Sequence, residues 1–169
     1  APDGTIFASV WTELDEAPWG EWAIMTSTDG GFTWDETTLT GLEDGNVLDW
    51  YDGGETPVDI VISPNWPDDN TVYVGILNGE VYRLGNAGEA DPVKLIPIVD
   101  SDGVDLTFND GFLYDLDIFW DGSNNWIAAA TDLDVFIIKD ALFESWRDFE
   151  MATETDSEDW AWAVQVDFA

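Results

Sequence analysis

The sequence predicts an all-β protein, and three observations carry that expectation. Helix-period runs are scarce, short apolar runs alternate with Gly, Asp and Asn punctuation along the chain, and one strand-loop-strand order recurs. The expected strands are TIFASVW at 5–11, VDIVIS at 58–63, TVYVGIL at 71–77, EVYRL at 80–84 and VKLIPIV at 93–99. FLYDLDIFW at 112–120, WIAAATD at 126–132, DVFIIKD at 134–140 and AWAVQVDFA at 161–169 complete the series. Between two of them, Asn78-Gly79 reads as the positive-φ pair of a type I′ hairpin turn. The single plausible helical turn lies near DALFESW, 140–146.

The recurrence is longer than a hairpin. Residues 58–84 run strand, Pro-Asn-Asp loop, strand, hairpin, strand, and residues 113–140 follow the same order with a shorter loop. The opening residues repeat the last two strands, and 161–169 repeats the first alone. Aligning Ile6, Val72 and Ile127 spaces the units by about 55 to 66 residues, beyond the roughly 40 to 50 of common blade repeats. Regular units of about four antiparallel strands are what a β-propeller requires. The expected blades are residues 1–55, 56–110 and 111–159, with 160–169 starting the next. About three blades are fewer than a closed propeller uses, so the chain reads as a segment of a larger propeller, or as one closed through other copies.

Ser27-Thr28-Asp29-Gly30-Gly31-Phe32-Thr33-Trp34 matches the pattern S-x-D-x-G-x-T-W, and through it the chain resembles the Asp-box (BNR repeat) propellers of microbial cell-surface proteins, sialidases and sortilin-type receptors. Residues 84–91 keep Asn86 and Gly88 of that pattern, and 139–146 keeps Asp140, Ser145 and Trp146. The resemblance implies that Ser27, Asp29, Gly31, Thr33 and Trp34 build an outer turn and carry no chemistry. Asp29 is expected to accept backbone N–H groups, and Trp34 to bury its ring against a neighbouring sheet.

Charge bounds the partners. The chain carries 37 acidic and 4 basic residues, a formal net charge of -33. That inverts the footprint a nucleic-acid partner needs, and it disfavours an anionic membrane surface. Such acidity suits a protein kept soluble in high salt or one meeting cations at a cell surface. The chain has no Cys and no His, so nucleophilic triads and the usual zinc sites are absent. A sialidase-like site needs an arginine cluster, yet Arg83 and Arg147 are the only arginines.

Two acidic stretches carry hard oxygen ligands of the kind Ca²⁺ takes: Asp100, Asp102 and Asp105 in DSDGVD, and Asp68, Asp69 and Asn70 in PDDN. The first is not an EF-hand loop, since its glycine falls at the fourth position. Either also reads as a solvated acidic turn. Trp11, Trp19, Trp22, Trp50, Trp66 and Trp120 lie in or beside expected loops, where they could stack on sugars. Trp34, Trp126 and Trp146 read as packing between blades.

The expectation from sequence is therefore a non-catalytic structural or interaction module of an extracellular cell-surface protein, such as a surface layer, sheath or adhesive array. Its partners would be other protein segments or copies of the same chain, with no nucleic acid and no membrane insertion. A carbohydrate-binding or glycosidase-like propeller and an assembly factor or receptor-type propeller are the alternatives.

Overall fold

The computed structural model describes residues 1–13, 20–40, 42–43, 55–66, 68–95, 113–131, 135–140 and 150–151. They form an all-β arrangement of three four-stranded antiparallel sheets, without a closed barrel or ring. In sheet 1, β1 (Ile6–Glu13) and β2 (Gly20–Ser27) form a hairpin, and the short β3 (Asp35–Glu36) and β4 (Leu42–Glu43) both pair with β2. In sheet 2, β5 (Pro57–Ile62), β6 (Val72–Ile76), β7 (Val81–Leu84) and β8 (Val93–Lys94) pair in sequence order. Sheet 3 repeats that order with β9 (Leu113–Trp120), β10 (Asn125–Thr131), β11 (Val135–Asp140) and β12 (Glu150–Met151). The strand expected over 93–99 is described as β8 at its start, while 161–169 and the helical turn near 141–146 lie outside the described residues.

Alternation explains how the sheets stack. On β6, Val72, Val74 and Ile76 point to one face and Tyr73 to the other, and all four are fully buried. The first set packs with Ile24, Leu39, Leu42 and Trp66, and with Phe7 and Trp22 of sheet 1. Tyr73 and Val81 pack with Leu113, Leu116, Ile127 and Ala129 of sheet 3. Sheet 2 is thus covered on both faces. Gly75 makes the second contact possible: a Cβ there would stand 2.4 Å from Leu113 Cδ2 and 2.9 Å from Leu116 Cδ1.

The β6–β7 hairpin differs from the expected type I′ turn. Only Gly79 takes a positive φ, at 90°, and Asn78 does not. The Gly79 N–H donates to the Ile76 carbonyl, and the Ile76 N–H to the Glu80 carbonyl, so the loop has three residues and ends in a left-handed glycine. Asn78 contributes through its side chain, whose Oδ1 accepts the Glu80 N–H at 3.1 Å.

Candidate functional site

The S-x-D-x-G-x-T-W stretch connects β2 to β3, and its polar atoms bond within the loop. Asp29 Oδ1 accepts from the Ser27 hydroxyl and from the Phe32 and Thr33 N–H groups, each at 2.9 Å. Asp29 Oδ2 accepts from the Thr33 hydroxyl at 2.7 Å, and Ser27 Oγ accepts the Gly31 N–H at 2.9 Å. Gly30 and Gly31 take φ of 79° and 91°, which turns the chain so that these donors converge. The Thr33 N–H and hydroxyl, followed by weaker donors, hold the Asp29 carboxyl down at a pKa of about 2.

Trp34 departs from its expected burial. It is 39 % exposed, and its indole N–H donates to the Gly31 carbonyl at 3.0 Å. The ring folds back over its own loop instead of entering a core. Phe32, at the tip, is 90 % exposed.

Other loops use carboxylates in the same way. In the β9–β10 turn, Asp121 accepts the Ser123 and Asn124 N–H groups at 2.7 and 2.8 Å and the Trp126 indole N–H at 2.7 Å. Those donors, the indole first, lower its pKa to about 2. Asp3 accepts the Thr5 N–H just before β1, which lowers its pKa. Asp69 accepts the Thr71 N–H just before β6. Of the PDDN stretch, Asp69 thus orders the turn that precedes β6, and Asn70 beside it takes the left-handed region at φ 45°. Among the described residues, no group of three or more His, Cys, Asp or Glu is placed to hold a metal ion. Asp100, Asp102 and Asp105 lie outside the described residues.

The densest polar cluster was not foreseen from the sequence. It lies between sheets 2 and 3. Tyr73 Oη donates to Asp140 Oδ2 at 2.6 Å, and Arg83 Nη1 meets Asp140 Oδ1 at 2.6 Å in the one ion pair among the described residues. Asn125 Nδ2 donates to Tyr73 Oη at 2.9 Å and to Asp69 Oδ2 at 3.2 Å. Ser63 Oγ donates to Asp69 Oδ2 at 2.5 Å and accepts the Asn65 N–H at 3.1 Å. Burial, then the neighbouring Asp140 carboxylate, pushes the Tyr73 phenol far above its ordinary range, so it stays a protonated donor. A signal was present: Arg83 is one of 4 cations in the chain and sits within an apolar strand. A cation there needs an anionic partner.

A second carboxylate ties the same two sheets. Asp59 of β5 accepts the Ile60 N–H at 2.7 Å and the Leu116 N–H of β9 at 3.0 Å. Its pKa is raised, first by burial and further by Asp115.

The tryptophans divide by surroundings. Trp66 is buried, edge-on to Phe7 at 6.1 Å between ring centres, so it is a packing residue. Trp11 and Trp22 lie within β1 and β2, not in loops, and their rings meet edge-to-face at 5.3 Å. Trp120 ends β9, and Trp126 lies under the Lys139 ammonium at 5.7 Å. Trp19, Trp50 and Trp146 lie outside the described residues.

Comparison with protein-family models, with curated proteins and with solved structures gave no match to this chain. Among the described residues, no helix is long and apolar enough to cross a membrane.

Proposed function

We propose that the chain is a run of propeller-type blades serving as a non-catalytic structural or interaction module of an extracellular cell-surface protein. The observation that carries this reading is the use made of the conspicuous carboxylates. Asp3, Asp29, Asp69 and Asp121 each accept N–H groups of their own turns, and Asp140 bonds one sheet to the next. At Asp3, Asp29 and Asp121 those bonds stabilise the charged form and lower the pKa, which makes these side chains poor general acids or bases at neutral pH. The blade reading is supported by the common element order. In sheets 2 and 3 four strands pair in sequence, and sheet 1 follows the same plan from the second strand onward. A charge of -33 favours a setting rich in counter-ions.

The test is a screen of the chain against sialosides and common aryl glycosides. The expected result is no turnover above buffer. Turnover abolished by replacing one particular carboxylate overturns the reading. Carbohydrate binding without catalysis is the second reading, and the Trp11–Trp22 pair favours it, since Trp11 keeps an exposed ring at the end of the β1–β2 hairpin. Binding to a glycan array that Trp11→Ala removes would select it.

A further inference from the structure

Asp59 and Asp115 meet where sheets 2 and 3 join. β5 and β9 are the first strands of those sheets and pack against each other. Asp59 of β5 offers Oδ1 to the Ile60 N–H at 2.7 Å and Oδ2 to the Leu116 N–H of β9 at 3.0 Å. Asp115 is joined to Leu116 through that same peptide, and its carboxyl lies within hydrogen-bond reach of the Asp59 carboxyl. Both side chains are partly buried. The internal repeat sets Asp115 apart. Asp117-Ile118 of β9 repeats Asp59-Ile60 of β5, down to the bond from the isoleucine N–H to the carboxylate before it. Two residues earlier β5 has Pro57 where β9 has Asp115, so sheet 3 adds a carboxyl that sheet 2 lacks.

Two carboxyls bond to each other only when one of them holds a proton, because an ionised carboxylate has no donor. Without that proton they are like charges at close range, and they repel. β1, β6 and β9 pack against β5 and bring the other titratable groups. β9 adds Tyr114 and Asp117, the latter accepting the Ile118 N–H at 2.8 Å. β6 adds Tyr73, whose hydroxyl donates to Asp140. β1 ends in Glu13, and Glu55 stands two residues before β5. No Lys or Arg occurs in β1, β5, β6 or β9, so the charges that these strands bring to the junction are all negative.

We infer that Asp59 and Asp115 share one proton, and that this proton fastens sheet 2 to sheet 3 while its loss loosens the junction. With the proton in place one carboxyl donates to the other, and Asp59 keeps its two backbone donors. The sign of the pH dependence follows. Burial, and then the neighbouring Asp115, raises the Asp59 pKa, so the folded chain takes up this proton more readily than the unfolded one. The stabilisation is fully present below the roughly 3.9 of an unfolded aspartate and is lost as pH rises through the folded value. That is opposite to the Asp29 turn, whose lowered pKa gives a stabilisation that is lost in acid. The junction is thus a device that tightens on mild acidification.

The experiment has two readouts on the 169-residue chain. Carboxyl-carbon NMR of the unmodified protein follows both aspartates directly, and one of the two is expected to titrate above the roughly 3.9 of an unfolded aspartate. Urea midpoints are then measured from about pH 8 to about pH 4 for the parent, for Asp115→Asn and for Asp91→Asn. Asp115→Asn removes the repulsion at every pH and offers Asp59 a permanent donor. Its midpoint is expected to lie above the parent's at the alkaline end, with the gap narrowing as pH falls. Asp91→Asn takes the same charge from an exposed position and is expected to follow the parent throughout. Titration of both Asp59 and Asp115 at or below the ordinary aspartate value overturns the inference, whether or not the variants fold. So does a folded Asp115→Asn whose midpoint runs parallel to the parent's, or an Asp91→Asn that changes in the same way.

Discussion

Tyr73 Oη and Asp140 Oδ2 stand 2.6 Å apart across the junction of sheets 2 and 3, although 67 residues separate them along the chain. Asp140 is the last residue of β11, and its other oxygen takes the guanidinium of Arg83 from β7. One carboxylate thus accepts from two neighbouring strands of another sheet. The pair is largely enclosed, with side-chain exposure of 6 % at Asp140 and 16 % at Arg83, while the Tyr73 side chain belongs to the core with Val81, Leu116 and Ile127. In such a place an unpaired polar group costs more than a paired one gains, so the three side chains depend on one another.

The Asp29 loop has a pH signature. Its folded pKa of about 2 lies below the roughly 3.9 of an unfolded aspartate, so the unfolded state binds the proton more readily. The stabilisation is fully present above about pH 4 and is lost as pH falls through about 2. Asp29→Asn should therefore differ from the parent in melting temperature at neutral pH, and the gap should close on acidification through that window. Carboxyl-carbon NMR gives the direct check: titration of Asp29 at an ordinary aspartate value would contradict the hydrogen-bonded turn.

Gly75 marks a close approach of sheets 2 and 3. Gly75→Ala would place a methyl group 2.4 Å from Leu113 Cδ2, and both Leu113 and Leu116 are buried, with little room to withdraw. Overpacking of this kind costs about 1 to 3 kcal/mol. Urea denaturation should show that loss. An unchanged midpoint would mean that the two sheets do not meet there.

The strands were legible because alternation and turn residues are local signals. β5, β6, β7, β9, β10 and β11 fall where apolar runs stand between Gly, Asp and Asn. The Asp29 turn was legible for the same reason, since its bonds join residues two to four apart. The type of the Asn78-Gly79 turn was not, because the pair fits two hairpin loops and the φ of Asn78 decides between them. Nor was the exposure of Trp34. The motif led to an expected ring buried against a neighbouring sheet, whereas the indole N–H bonds to Gly31 of its own loop and leaves the ring exposed. The Tyr73, Arg83, Asn125 and Asp140 cluster was hidden by its separations of 52 to 67 residues, which no local pattern encodes.

Diffuse charge and a bound cation respond differently to salt. NaCl should raise the melting temperature by screening the self-repulsion of a chain at -33. A calcium site at Asp100, Asp102 and Asp105 would add an increment that NaCl at matched ionic strength does not, about 2.7 kcal/mol at a hundredfold excess over Kd. Asp102→Asn would then remove that increment and spare the NaCl response. Melting curves that respond identically to the two salts would leave screening alone and exclude the site.

Buried polar side chains hold sheet 2 to sheet 3, and equilibrium unfolding of Asp140→Ala in urea measures how much they contribute. Removing that carboxylate leaves Arg83 charged and largely buried and takes the acceptor from Tyr73. The expected loss is about 3 to 5 kcal/mol, and Arg83→Met in the same chain should recover part of it, because the uncompensated charge is then gone. A folded Asp140→Ala protein within about 0.5 kcal/mol of the parent, the range of an ordinary surface substitution, would mean that the cluster does not hold the two sheets together.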